Sequence, residues 1–383
     1  MSSPKSPEEL LGLASRFLSE LEAPFVGRHE EALNITLALL TGEHAILIGE
    51  PGTAKSALVR RSAELLNVRF FKYLLTKFTE PSELFGPLDI RALKQGVYRR
   101  ITAQKLPEAE IAFLDEIFNA NSAVLNSILS IMQERVLYDG YNEIRVPLWT
   151  LVGASNRVPE EPELEALYDR FLFRQNVKPV EEELWDSLLD AAWKIEMNAI
   201  PRPQKIMSMD DLKQLNQMIF KVDLSPVKSK LIRLFMIMNE KELKISDRRK
   251  GKILKAIAAH AILEGRLHAT ESDLIVLKYT VPSDIEDFEK VATILTEELK
   301  TKERILRELE EIAANVRNAE KSVRQLESFD PRLLDIYKNL KVAKGKIQSL
   351  VQDVEDDEVR RKAEEVNELI ESLTQEIMIK LNM

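Results

Sequence analysis

At 383 residues the chain exceeds one ordinary compact core, so two or three domains are expected. Nearly half of the residues are apolar, and a net charge of −9 argues against a broad basic surface for nucleic acid. With no cysteine, disulfides, thiolate metal sites and thiol nucleophiles are excluded, and the four histidines lack zinc-ligand spacing.

The first residues, up to Phe17, lack a cationic start followed by a long apolar run, so no secretory signal is expected. No stretch reaches the ~18 uncharged apolar residues of a membrane span. The expectation is a soluble, cytoplasmic chain.

Ala45-Ile46-Leu47-Ile48 is short, apolar and closed by Gly49, as expected of a strand buried on both faces. Gly49-Glu50-Pro51-Gly52-Thr53-Ala54-Lys55-Ser56 follows it, and Ala57 continues into an apolar-periodic helix. A loop so placed aims backbone N–H groups and a helix N-terminus at an anion. Lys55 is expected to reach the β- and γ-phosphates of a nucleoside triphosphate, and Ser56 to ligate magnesium. The usual pattern has glycine before the lysine. Here Ala54 stands there, and an alanine calls for negative φ and room for a methyl.

Ile90-Arg91-Ala92-Leu93 and Val97-Tyr98-Arg99-Arg100 flank a Lys94-Gln95-Gly96 turn and read as a hairpin. Ile111-Ala112-Phe113-Leu114 is a second buried-strand run, and it ends in Asp115-Glu116. Asp115 would hold the magnesium shell, and Glu116 would orient or deprotonate the attacking water. From Ser122 to Glu134, Val124, Leu125, Ile128, Leu129 and Met132 share a helix face. A third run, Leu148–Val152, leads into Gly153-Ala154-Ser155-Asn156, whose amide at a strand tip is suited to sensing a γ-phosphate. Strands alternating with helices imply an α/β fold with a mainly parallel sheet, its three tips converging on one crevice. Tyr168-Asp169-Arg170-Phe171-Leu172-Phe173-Arg174 follows and carries two candidate arginines.

After Val177 the strand-like runs cease. Residues 181–282 are helical in pattern, punctuated by Pro201, Pro203 and Pro226. Ser208 and Thr270 each have an aspartate three residues on, a weaker capping box. Ser246-Asp247-Arg248-Arg249 caps another helix. Beyond Ser283, apolar residues at heptad spacing, Leu295, Leu309, Val316 and Val323 among them, support a coiled-coil-like seam. Asp330-Pro331 starts a second helix, and Asp353–Glu358 is expected to turn the chain into a third. Whether these helices form a bundle or an arm stays open.

In this order of motifs the chain resembles the AAA+ ATPases, and within them the MoxR group near its RavA-like branch. The phosphate loop, alanine included, and the stretches Leu84–Pro87, Ile111–Phe118, Asn126–Leu129, Gly153–Asn156 and Ala166–Arg174 carry the resemblance over about residues 20–282. It implies an AAA+ αβα domain over 1–180 and an all-helical lid over 181–282; the heptad pattern adds a helical extension of about three helices over 283–383. By match to the motifs, Lys55 and Ser56 are Walker A, Asp115 and Glu116 Walker B, Asn156 sensor 1, and Arg170 or Arg174 the arginine finger. Arg248, or Arg249, is sensor 2, and Phe25-Val26-Gly27-Arg28 lies beside the adenine. ATP and Mg2+ are implied, with a ring, usually hexameric, in which the finger completes a neighbour's site.

The segment around 86–103 resembles the helix-2 insert of this clade. Its Arg91, Lys94, Arg99 and Arg100 either grip an acidic partner or form a solvated face. The resemblance further implies a chaperone-like role on a client protein complex and a partner with a von Willebrand factor A domain. RavA-like tails carry a small β-rich domain, and no such strand-rich insertion follows Pro282 here. An ATP-controlled scaffold recruiting partners through the tail is the alternative. A DNA-acting motor is disfavoured by the acidic charge.

Overall fold

The computed structural model describes residues 5–140, 142–159, 161–197, 203–299, 302–326, 328, 330–351 and 357–381. They fall into two compact units, Met1–Ile294 and Leu295–Met383. The expected nucleotide-binding and lid segments both lie within the first.

Its strands are β1 (His44–Ile48), β2 (Phe70–Leu74), β3 (Ile111–Asp115), β4 (Val136–Asp139), β5 (Asn142–Arg145), β6 (Thr150–Ser155) and β7 (Phe171–Asn176). Helices α1 (Pro7–Glu22), α2 (His29–Thr41), α3 (Lys55–Leu66), α4 (Pro81–Phe85), α5 (Ile90–Lys94), α6 (Ser122–Glu134) and α7 (Pro162–Tyr168) intersperse them. Then come α8 (Trp185–Glu196), α9 (Met209–Ile219), α10 (Lys228–Glu240), α11 (Asp247–Leu263) and α12 (Leu277–Thr280), and α13 (Ile285–Glu298) runs across the unit boundary.

Five strands form one parallel sheet in the order β2-β3-β6-β1-β7. Every residue of β1 and β6 is buried, which is why they read as unbroken apolar runs. β2 and β7 were not read as strands. β2 is an edge strand in which only Phe71 is buried, so its sequence shows no continuous apolar run.

α2 is buried along nearly its whole length, because it packs on β1 and β7 on one side and under α9 and α11 on the other. The helical half of the unit is thus laid over α2. Glu43, just past α2, accepts from Lys252 (2.6 Å) and Lys255 (2.9 Å) of α11. Burial alone would raise its carboxyl, but the two ammonium groups hold it below the ordinary value. Asn216 of α9 donates to the Leu40 carbonyl (2.8 Å), and Tyr279 donates to Glu30 (2.6 Å).

The expected hairpin at 86–103 is built differently. Its first arm is the one-turn helix α5, because the Asp89 carboxylate accepts from the backbone of Arg91 (3.0 Å) and Ala92 (3.2 Å). Gly96, at φ +78°, turns the chain back, and Leu88 and Arg100 form an isolated antiparallel bridge. A β-hairpin not foreseen from sequence, β4–β5, lies alongside. Arg100 pairs with Asp139 (2.8 Å), and Asn142 donates to the Tyr98 carbonyl (2.8 Å). Arg99 pairs with Asp89 (2.6 Å), and Arg91, Lys94 and Arg99 are exposed while Arg100 is partly buried.

In the second unit α14 (Lys302–Gln325), α15 (Pro331–Val351) and α16 (Asp357–Leu381) pack on one another as a three-helix bundle. The heptad residues Leu309, Val316, Leu340, Ile347, Val366 and Leu373 form its core. Asp330 caps α15, accepting from Arg332 N (2.9 Å). The expected turn at Asp353–Glu358 lies mostly outside the described residues. No strand occurs among the described residues of this unit.

Both weak capping boxes form, Ser208 with Asp211 and Thr270 with Asp273. Asp273 is fully buried and accepts from His260 (2.7 Å) and twice from Arg266 (2.8 Å each). Burial works to raise this carboxyl, yet the hydrogen bonds from His260 and Arg266 outweigh it and hold it at about 2, against an ordinary 3.8. A depressed carboxyl contributes stability above its unfolded pKa and loses it as pH falls through the folded one. Asp273→Asn is therefore expected to lose about 2 kcal/mol in urea denaturation at pH 7, with the gap to wild type closing between about pH 4 and pH 2.

Candidate active site

The phosphate loop leaves β1, an interior strand between β6 and β7, and these neighbours fix its exit. Ile48 O accepts from Val177 N (2.7 Å), and Gly49 N donates to Ser155 O (2.9 Å). A Cβ on Gly49 would stand 2.3 Å from the Val177 carbonyl oxygen, so only glycine passes here. The register Ile48↔Ser155 and Leu114↔Gly153 sets the tips of β1, β6 and β3 side by side.

They open on one cleft of about 390 Å³ lined by loop residues 51–56 with Leu74, Asp115, Glu116 and Asn156. The crevice expected from the sequence is therefore present, and β2 adds Leu74, a half-exposed wall residue that sequence reading missed. The Lys55 ammonium donates to the carbonyls of Gly49 and Glu50 (2.7 Å each) and to Thr53 Oγ1 (3.3 Å). Burial lowers its pKa, while Asp115 and then Glu116 work to keep it charged. A triphosphate would compete for this ammonium with uncharged carbonyl oxygens.

The sequence profile of the MoxR domain in the MoxR-vWA-beta-propeller ternary systems matches residues 13–217, and that of an AAA lid domain matches 226–295. An uncharacterized protein of Methanocaldococcus jannaschii is 34% identical over 96% of this chain and 100% of its own length. The chaperone MoxR1 of Mycobacterium tuberculosis is 29% identical over 53% of each chain. A solved structure from Cytophaga hutchinsonii shares the fold, with a TM-score of 0.63 and 21% identity over 75% of this chain and 94% of that one.

The chain belongs to the MoxR family of AAA+ ATPases.

Not every residue expected at the site lies there. In this MoxR chain Val26, Gly27 and Ala57 do not line the cleft. A Cβ on Gly27, at φ +67°, would stand 3.2 Å from Val180 and 3.3 Å from Leu184, so the segment lies beside the approach to α8. Glu50 contributes its carbonyl to Lys55 rather than its side chain to the cleft wall.

Arg174 is ruled out as a free finger. It is buried in β7, donates to the carbonyls of Pro282 (2.7 Å) and Tyr168 (3.2 Å), and lies 4.0 Å over the Tyr168 ring. Arg249 is likewise buried and gives two hydrogen bonds to Phe171 O (2.8 and 3.2 Å). Burial, and then the facing Arg174, push it down to about 9.

Phe171 pairs with His44, four residues before Ile48, so this carbonyl sits about 13 Å down the sheet from the phosphate loop. Arg170 precedes it and is tethered to Gln133 (3.0 Å) and the Ala166 carbonyl. Arg248 is exposed on the first turn of α11, next to the anchored Arg249. Both arginines thus stand toward the end of the sheet opposite their own cleft, and neither lines it.

Ser56 and Asp115 supply a hydroxyl and a carboxylate to the same cleft, and no group of three or more metal-ligating side chains exists among the described residues. That donor set suits magnesium, which keeps waters and takes phosphate oxygens along with one or two protein ligands.

Two cleft residues have left-handed backbone despite carrying side chains, Ala54 at φ +62° and Glu116 at φ +51°. The expectation of negative φ at Ala54 was therefore wrong. The loop imposes the conformation that glycine adopts in the usual pattern, and the alanine bears a strain of about 1 kcal/mol. Ala54→Gly should leave thermal stability unchanged or raise it by under about 1 kcal/mol, once glycine's extra chain entropy is deducted. Ala54→Val should lower it by about 1–3 kcal/mol, with calorimetric melting as the check.

Proposed function

We propose that this chain is a ring-forming, magnesium-dependent ATPase that hydrolyses ATP between neighbouring subunits and uses the cycle to remodel or mature a partner complex. One observation carries the reading. Lys55, Ser56, Asp115, Glu116 and Asn156 meet in one cleft, while neither Arg170 nor Arg248 lines it and Arg170 precedes Phe171 at the other end of the sheet.

On this reading Lys55 and the loop N–H groups bind the β- and γ-phosphates, and Ser56 and Asp115 hold the magnesium shell. The ion, when bound, offsets the charge that builds on the phosphate oxygens. Glu116 orients the attacking water and takes its proton, and Asn156 contacts the γ-phosphate side of the cleft. Arg170, released from Gln133 by a neighbour's approach, reaches that neighbour's γ-phosphate, with Arg248 beside it. This placement assigns sensor 2 to the adjacent site rather than to the same chain. Segment 25–28 lies at the adenine end.

The match to the MoxR domain of MoxR-vWA-beta-propeller systems favours a von Willebrand factor A protein as partner, and the likeness to a chaperone favours a client complex. Among the described residues no helix is long and apolar enough to cross a membrane, and no nucleic-acid module is apparent. The separately folded three-helix unit also supports the second reading, an ATP-controlled scaffold that recruits partners through its tail. Full partner function with non-hydrolysable ATP would favour that scaffold.

Lys55→Ala is expected to abolish nucleotide binding in a fluorescent-nucleotide titration. Glu116→Gln should bind ATP normally and turn over at least roughly 100-fold more slowly. Arg170→Ala should cut turnover about 10³-fold or more, and mixing it with Lys55→Ala subunits should restore part of that activity. Mixed rings as inactive as the separate variants would remove the in-trans arginine.

A further inference from the structure

A carboxylate that activates water has to be ionised and held in one plane, with one oxygen left for the water. The structure shows what holds Glu116. Its left-handed backbone turns the chain out of β3 into a single 3-10 turn, Ile117–Asn119, closed by Asn119 N donating to Glu116 O (2.9 Å). The turn folds the Asn119 side chain back over Glu116, where its Nδ2 donates to Oε2 at 3.4 Å.

That side chain serves nothing else among the described residues. The following helix, α6, is capped by Asn121, whose Oδ1 accepts from Val124 N (3.1 Å). The turn is also pinned on both sides. Leu75 N donates to Asp115 O (2.9 Å), Asn121 Nδ2 donates to Thr79 O (2.7 Å), and Ile117 is fully buried. Asn119 therefore cannot drift relative to Glu116.

We infer that Asn119 is a positioning residue for Glu116, its amide holding Oε2 so that Oε1 is left for the attacking water. The inference rests on the proposed role of Glu116. Chemistry supports an amide at this place. It donates to the ionised carboxylate without neutralising it, whereas a lysine would tie the base up in an ion pair and an aspartate would oppose its ionisation. The opposite amide orientation would set a carbonyl oxygen against the carboxylate. A bond of 3.4 Å is long, as catalytic hydrogen bonds are before substrate tightens them.

The test uses the full chain with Mg-ATP, reading steady-state turnover and affinity for a fluorescent ATP analogue. Asn119→Ala should lower kcat about 10–100-fold while changing nucleotide affinity less than about twofold. Asn119→Asp, nearly the same size but with no N–H to donate, should lower kcat as far as Asn119→Ala does. Asn119→Gln, which keeps the donor, should recover part of the lost rate.

A purely structural asparagine would not split kcat from nucleotide affinity. Wild-type kcat in Asn119→Ala or in Asn119→Asp overturns the proposal. Should Asn119→Ala melt early, the nearly isosteric Asn119→Asp decides. Glu116→Gln, run alongside, separates two failures: if it stays active the water-activating reading itself is lost, and if it is dead while Asn119→Ala is normal only the positioning role is lost.

Discussion

The passage of Gly49 between the ends of β6 and β7 is the contact on which the arrangement of the cleft depends. The backbone there has carbonyl oxygen and Val177 where a side chain would be, and both neighbours hydrogen-bond to it. β1 is thereby gripped on both sides to its last residue, and the loop can leave in one direction only. Lys55 and Ser56 inherit their position from that exit, and Asp115 inherits its own from the register of β3 against β6. Groups separated by about sixty residues in sequence meet because parallel strands end together.

The same cleft holds strain. Ala54 and Glu116 both line it, and each adopts a backbone region that side chains disfavour. In Ala54 the strain points the following N–H groups and Lys55 into the loop. In Glu116 it lifts the carboxylate off the strand, so that adjacent residues Asp115 and Glu116 can serve different ends. An extended backbone would have sent the two side chains to opposite faces of the sheet. A left-handed turn at Glu116 is what lets two neighbouring carboxylates line one cleft.

Much of this was legible in the sequence, and the exceptions have physical reasons. β1, β3 and β6 are buried on both faces, so four or five apolar residues closed by glycine or acid were enough to mark them. β2 exposes most of its residues and left no such trace. Ile90–Lys94 is too short for periodicity to separate helix from strand, and the deciding feature was the Asp89 cap. The Asp139-Gly140 pair between alternating residues was a hairpin signal that went unused. The heptads of the tail were readable, because a bundle writes its packing into spacing alone. What spacing could not convey was burial. Arg170 and Arg174 are equivalent on paper, and only the fold consigns Arg174 to the interior.

The docking of the helical segment on α2, rather than over the nucleotide cleft, has a consequence for charge. Lys252 and Lys255 are committed to Glu43, and Arg249 and Arg174 to backbone carbonyls around β7. Those two guanidiniums are satisfied mainly by neutral carbonyls, with the Asp169 carboxylate 3.9 Å from Arg174. Burial, and then Arg174, push Arg249 down to about 9. Arg170 and Arg248 lie within four residues of them in sequence. An acidic chain thus gathers four arginines toward one edge, at the end of the sheet remote from its own acid pair. On the proposed reading, the triphosphate that edge is suited to meet belongs to the next subunit. On that reading the arginines are kept from their own ATP by about the length of a strand, and turnover waits on assembly.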